Sequence, residues 1–216
     1  MDTNLTDKVA LVTGASQGIG VAIARALHRE GAKVALVART QAKLSQVVRE
    51  LGDRAFAVAA DVLDAASLSQ ALTAAENRLG PIDIAVNNAG GVVTSDGKLF
   101  RRFEDVPDED WLGTFALNVM SAVRVSRALA PKMAERGWGR IINISSENGV
   151  QPDPVGVEYS TAKGALNALT KALSKAYGGR GVLVNVVSPA YIDTPIVRSL
   201  VSQMPDGDKL APDQLA

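Results

Sequence analysis

Tyr159 and Lys163 stand four residues apart in VEYSTAKGAL, within a small-residue segment that reads as helix. That spacing puts both side chains on one helix face. A phenol titrates near ~10, too high to exchange protons readily at neutral pH, and an adjacent ammonium favours the phenolate. The pair could therefore act as a tuned acid/base. By itself the spacing carries little weight, because composition alone produces it often enough by chance. Two further stretches bear on it. The apolar run GRIINISS ends in Ser145 and Ser146, the latter thirteen residues before Tyr159. TGASQGIG, residues 13–20, sets Gly14, Gly18 and Gly20 among Thr13, Ser16, Gln17 and Ile19. A glycine turn before a helix lets the backbone approach a pyrophosphate, which the helix N–H groups and dipole attract. The spacing is G-x3-G-x-G and no Lys-Ser/Thr follows, so a P-loop is disfavoured. The plain alternative is a tight strand–helix turn with no ligand.

The elements that must position these residues recur along the chain. KVALV (8–12), KVALVA (33–38), AFAVAAD (55–61), IDIAVNNAG (82–90), GRIINISS (139–146) and GVLVNVVSPA (181–190) are short apolar runs without alternation. Such runs suit strands buried on both faces of a parallel sheet. Between them lie helical patterns such as GVAIARALHREG, TQAKLSQVVRELG and AASLSQALTAAENRLG, with Gly31, Gly52 and Gly80 as expected left-handed caps. The alternation predicts a single α/β domain over 1–216, a doubly wound parallel sheet with helices on both faces. Ligands bind such sheets outside the carboxyl ends of the strands. There the polar residues gather: Thr13-Gly14, Ala38-Arg39, Asp61-Val62, Asn87-Asn88-Ala89-Gly90, Ser145-Ser146 and Ser188-Pro189. Residues 91–107 and 147–157 read as loops. A long helix is expected from about Asp108 to Arg136, apolar on more than one side, which points to self-association.

Composition narrows the classes. Lysine plus arginine equal aspartate plus glutamate at 23 each, so no positive excess calls for nucleic acid or an anionic membrane. With no cysteine, disulfides, thiolate nucleophiles and cysteine-bound zinc are excluded. His28 is the only histidine and sits in the first helix, so Ser-His hydrolysis and a metal site find no support. The amino terminus lacks a signal-peptide pattern and no run is long enough to span a membrane, so a cytoplasmic protein is expected.

TGASQGIG, NNAG, LNV (117–119), IINISS and YSTAK, in this order and spacing, resemble the signature segments of the short-chain dehydrogenases/reductases. The resemblance covers roughly residues 5–195 and leans toward the 3-oxoacyl-acyl-carrier-protein reductases. It implies a Rossmann fold and a catalytic set of Asn118, Ser146, Tyr159 and Lys163. Ser146 would polarise a carbonyl oxygen, Tyr159 would exchange its proton, Lys163 would also hold the nicotinamide ribose, and Asn118 would organise a proton path. Ser146 is preferred to Ser145 because the family serine precedes its loop glycine, here Gly149, by three. The glycine turn from Thr13 to Gly20 would bind the dinucleotide. By the same resemblance Asp61 and Val62 would contact adenine, although Asp61 could instead cap the next helix. Asn87 would organise the sheet, and Asn88, Ala89 and Gly90 would line the cofactor, the last two by staying small. Ile192 and Thr194 would bind the carboxamide, and Pro189-Ala190 stands where the family has Pro-Gly.

NAD-preferring members carry an acid at the end of the second strand, whereas this chain has Ala38 followed by Arg39. A guanidinium can pair with a 2′-phosphate, so NADP(H) is expected over NAD(H); Gln17 stands where many NADP members place a second basic residue. The expected reaction joins a ketone and a secondary alcohol, with a 3-oxoacyl thioester, a polyol or a steroid-like ring as substrate and a dimer or tetramer as assembly. The alternatives are a catalytically silent nucleotide-binding sensor or scaffold, and a sugar-nucleotide epimerase or dehydratase. Against the latter stand the different glycine turn and the lack of a larger carboxyl-terminal region. Family members continue through another helix and a final strand, and PDQLA resembles that helix's start. Either the end is truncated or it is unusual; without the last strand, a sheet edge would be uncovered.

Overall fold

Each of the six apolar runs forms a strand in the computed structural model, which describes residues 3–99, 101–194 and 197–198. They are β1 (Val9–Thr13), β2 (Lys33–Ala38), β3 (Ala55–Ala59), β4 (Ile84–Asn87), β5 (Gly139–Ile144) and β6 (Val182–Val187). All pair in parallel into one sheet ordered β3-β2-β1-β4-β5-β6. Between β1 and β4 the order reverses, which opens a crevice at their carboxyl ends. The glycine turn after β1 and the Asn88–Gly90 turn after β4 flank that crevice.

Helices cover both faces because strand residues alternate sides while both sides are apolar. On one face α1 (Gly18–Arg29) and α2 (Gln41–Leu51) bring Val21, Ala24, Leu44 and Val47 onto Val34, Leu36, Ile84 and Val86. On the other, α3 (Ala65–Leu79) and α5 (Ser121–Glu135) bring Leu68, Leu72, Leu129 and Met133 onto Leu11, Val37, Ile141 and Val184. The helix α6 (Val157–Tyr177) adds Leu173 and Tyr177 to this second core. Each fully buried leucine contributes roughly 1.5–3 kcal/mol.

Two local expectations are corrected. Gly31, Gly52 and Gly80 have positive φ, but Gly52 (φ 80, ψ −154) and Gly80 (φ 106, ψ 179) turn outward into a region open essentially to glycine alone, not a left-handed cap. The cap of α3 is Asp64, whose carboxylate accepts from Ala66 N and Ser67 N; Asp61 instead accepts from Leu63 N in a tight turn. The long helix expected from about Asp108 to Arg136 runs over residues 108–135, with a π-helical turn (Ala116–Met120) between α4 (Asp108–Phe115) and α5. Such a turn adds a residue to the hydrogen-bonded ring and is common at functional sites. The expected helix start in PDQLA lies outside the described residues. Among those described, β6 is an edge strand whose Leu183 and Val187 are about half exposed.

Candidate active site

Helix α1 starts at Gly18 with extended Gln17 before it, no side chain capping its free N–H groups and no acid in its first turn. Gly14 and Gly18 have φ of 66 and 56, and a Cβ on Gly20 would lie 2.4 Å from Gly14 O. Uncapped donors, a helix dipole and no carboxylate form a site fitted to a dinucleotide's diphosphate. Thr13 and Asn88 hold this turn: Thr13 Oγ1 accepts from Asn88 N and Ala89 N, and Asn88 Nδ2 donates to Thr13 O and Gly14 O. Ser16 and Ile19 are half-buried along the turn and Gln17 is exposed. Thr194 is buried across from it, its methyl 3.5 Å from where a Gly18 Cβ would stand, while Ile192 is exposed. Pro189 O accepts from Glu147 N, tying the segment after β6 to the serine loop. The Val62 side chain packs in the core and its carbonyl accepts from Arg124, so what it can offer a base is its N–H.

Arg39 is exposed just past β2. Lys43, absent from the sequence reading, reaches from α2 to Gln17 Oε1 at 3.2 Å and so brings a second cation to the glycine turn. Its signal was only the position one turn into the helix after Arg39.

The start of α6 and the end of β5 bring the proposed catalytic side chains together. Lys163 is buried, its Nζ donates to Ile144 O at 2.8 Å, and it lies 5.4 Å from the centre of the Tyr159 ring. Burial brings Lys163 down to about 8. It also pushes the Tyr159 phenol above its ordinary value, and a hydrogen bond with Ser146 only partly offsets this. The expected downward tuning by Lys163 is therefore not the dominant effect on the phenol; desolvation is, as for any ionisable group taken from water. The two serines diverge: Ser145 Oγ donates to Lys163 O beneath the helix, while Ser146 bonds toward Tyr159 and Asn148. Gly149 lets this loop lie on α6, since a Cβ there would stand 2.9 Å from Lys163 C. The missing Cβ of Gly90 leaves room for Asn118 Oδ1 and Lys163 Nζ. Asn87 joins the sheet to the helices, donating to Asn143, which in turn donates to Thr170 of α6.

Asn118 grips the Gly91 backbone with both ends of its amide, accepting from N and donating to O. Its amide nitrogen also donates to Thr114 O, so the side chain is held entirely by backbone groups. Thr114 accepts from Val93 N in the same way, and Asp110 from Ser95 N. Arg101 pairs with both Asp96 and Asp110. Burial pushes Asp110 up, but Arg101 and Ser95 outweigh it and hold the carboxyl below its usual range.

The family profile for short chain dehydrogenases matches residues 8–205. The chain is 40% identical over 201 residues to Nodulation protein G of Azospirillum brasilense, covering 91% of this chain and 79% of that protein. It is 40% identical over 191 residues to the uncharacterized oxidoreductase YvrD of Bacillus subtilis, covering 88% and 70%. In fold it is similar to 3-ketoacyl-(acyl-carrier-protein) reductase from Brucella melitensis complexed with NADH (TM-score 0.85, 32% identity, 94% and 85% covered). It is likewise similar to L-sorbose reductase from Gluconobacter frateurii complexed with NADPH and L-sorbose (TM-score 0.86, 34% identity, 96% and 80% covered). With the profile running from β1 past β6 over a sheet these enzymes share, the chain belongs to the short-chain dehydrogenase/reductase family of NAD(P)-dependent oxidoreductases.

Proposed function

We propose that the protein is an NADP(H)-dependent oxidoreductase interconverting a ketone and a secondary alcohol, with the whole chain as one dinucleotide-binding unit. The supporting observation is convergence on one phenol: Ser146 lies near enough to Tyr159 to favour its ionised form, and the Lys163 ammonium lies over its ring. When bound, the nicotinamide supplies or accepts the hydride. Ser146 Oγ donates to the carbonyl oxygen and fixes its direction. Tyr159 gives its proton to that oxygen as an alcohol forms, or removes it in reverse. Lys163 balances the phenolate left behind. The glycine turn takes the diphosphate, Asp61 and the Val62 N–H the adenine, and Ile192 with Thr194 the carboxamide. A panel of ketones and alcohols followed at the nicotinamide absorbance tests this reading. Tight NADPH binding without any turnover would leave the silent sensor in its place.

Preference for NADP(H) rests on Arg39 and on Lys43 beside Gln17, since two cations suit a 2′-phosphate that an acid would repel. Arg39→Asp is expected to move the NADPH-to-NADH ratio of kcat/KM at least about a hundredfold toward NADH, by loss of one charge-assisted pair and gain of a repulsion. A wild type that prefers NADH, or a variant with an unchanged ratio, would dispose of the role given to Arg39.

Reduction needs a protonated phenol and a charged ammonium. With Lys163 at about 8 and Tyr159 raised, kcat/KM for reduction is expected to be level through neutral pH and to fall above about 8. A profile that keeps rising through that range would remove Lys163 from the reaction.

Kinship with 3-oxoacyl-acyl-carrier-protein reductases and with sugar reductases is read from their similarity to this chain, and the cytoplasm is the proposed setting. Self-association is inferred from α4, where Leu112 is 71% exposed and Phe115 39%, and light scattering at assay concentration reads it directly.

A further inference from the structure

Asn148 lies in the loop between Ser146 and Gly149, outside every motif singled out in the sequence. Ser146 Oγ donates to Asn148 Oδ1 at 3.2 Å and accepts from Asn148 N at 3.3 Å. On its other side Asn148 Nδ2 donates to Asp153 Oδ2 at 2.9 Å and approaches Ser160 Oγ at 3.4 Å. A carboxylate only accepts, so Asp153 decides which way the amide faces. The nitrogen is held outward and the oxygen inward, beside the hydroxyl proposed to polarise the substrate.

Ser146 has a single proton. To donate to a substrate carbonyl it must release Asn148 Oδ1, which Asp153 keeps from turning away. An acceptor is thus left next to the bound carbonyl, and an acceptor without a donor is costly. The Ser146 and Asn148 oxygens, 3.2 Å apart, are spaced much like the two oxygens of a carbonyl and a hydroxyl on adjacent carbons. One such substrate satisfies both: its carbonyl accepts from Ser146 while its hydroxyl donates to Asn148. Two further carboxylates act in the same region, since burial first and then the charges of Asp153 and Glu147 hold the Tyr191 phenol above its ordinary value.

We propose that Asn148 is a specificity-determining residue and that the substrate is a ketone bearing a hydroxyl on the carbon beside the carbonyl, interconverted with a vicinal diol. The inference rests on the ketone–alcohol reading above. In reduction the carbonyl carbon takes the hydride of reduced nicotinamide, its oxygen takes the Tyr159 proton, and the neighbouring hydroxyl is unchanged. The nicotinamide is left oxidised and the phenolate regains its proton from solvent.

The test compares kcat/KM for acetoin, its O-methyl ether and butanone with NADPH. The ether keeps the electron withdrawal of the oxygen and removes only the donor, so it separates recognition from carbonyl reactivity. Wild type is expected to favour acetoin over the ether by at least about tenfold, the value of one hydrogen bond and its unmet alternative. Asn148→Ala should bring that ratio close to one. Asp153→Ala should lower it partway by freeing the amide, and the exchanged pair Asn148→Asp with Asp153→Asn should restore it, because an acceptor still faces Ser146 while the outer hydrogen bond merely reverses direction. Equal rates on acetoin and its ether in wild type overturn the inference while leaving ketone reduction standing; so does a ratio unmoved by Asn148→Ala. Turnover of none of the three ketones, with NADPH still bound, overturns both readings together.

Discussion

Tyr159→Phe is expected to lower kcat by at least about a thousandfold, within the range attributed to a positioned general acid, while NADPH still binds. The change removes one oxygen and leaves the ring that packs under Lys163. That lysine keeps its bond to Ile144 O, which depends on the β5 backbone and not on the phenol. The ketone oxygen would still meet Ser146, but the alkoxide would have no proton donor at the right place. A thousandfold loss corresponds to about 4 kcal/mol of transition-state stabilisation. Steady-state rates on any accepted ketone, with cofactor affinity from nicotinamide fluorescence, separate the two effects. A variant that retains a tenth of the wild-type rate would show that another group moves the proton.

Gly20→Ala is expected to cost both fold and cofactor. The added methyl would meet Gly14 O at 2.4 Å and Asn88 Nδ2 at 2.6 Å, and neither is the loose end of a flexible side chain. Asn88 is itself bonded to Thr13 O and Gly14 O, so relief at Gly20 requires separating the two turns that bound the crevice. Overpacking of this kind destabilises by roughly 1–3 kcal/mol or more, and affinity for NADPH should fall by at least about a hundredfold as the helix N–H groups lose their aim. Gly178→Ala is the control. That residue has right-handed helical angles and open space where its Cβ would stand, so it should be neutral or slightly stabilising. Urea midpoints and titration with NADPH give both numbers for both variants. If Gly20→Ala binds NADPH as the wild type does, the contact between the two turns is not what shapes the site.

What could be read from the sequence is what local pattern determines. Unalternating apolar runs gave six strands because a sheet covered on both faces tolerates little else, and polar residues at the ends of those runs marked the rim. The divergence of Ser145 and Ser146 was expected, since neighbours on a strand point opposite ways. What escaped depends on where a third group stands. Whether a tyrosine beside a lysine ends above or below its ordinary value depends on how much water it has lost, which spacing does not report. Asp61 and Asp64 are both plausible caps, and only the path of the chain decides between them. Lys43 matters through Gln17 in the turn before a different helix, and Asn148 through a carboxylate five residues on, with the loop folding back between them.

The three rungs that bind residues 91–95 to the helix set a common gauge. Asp110, Thr114 and Asn118 are four residues apart, a helical advance of about 6 Å per step. Their partners Ser95, Val93 and Gly91 are two apart, about 6.6 Å per step along an extended chain. The two lattices run antiparallel and nearly commensurate, so one residue inserted between Gly91 and Ser95 would put every later rung out of phase. Beyond Ser95, among the described residues, the loop is tied to the helix by Arg101 on Asp110 and by the Phe103 ring on Trp111. Length changes in this loop are therefore tolerable on one side of Ser95 and not on the other, and the segment after it can be lengthened or exchanged while Asn118 keeps its hold on the crevice.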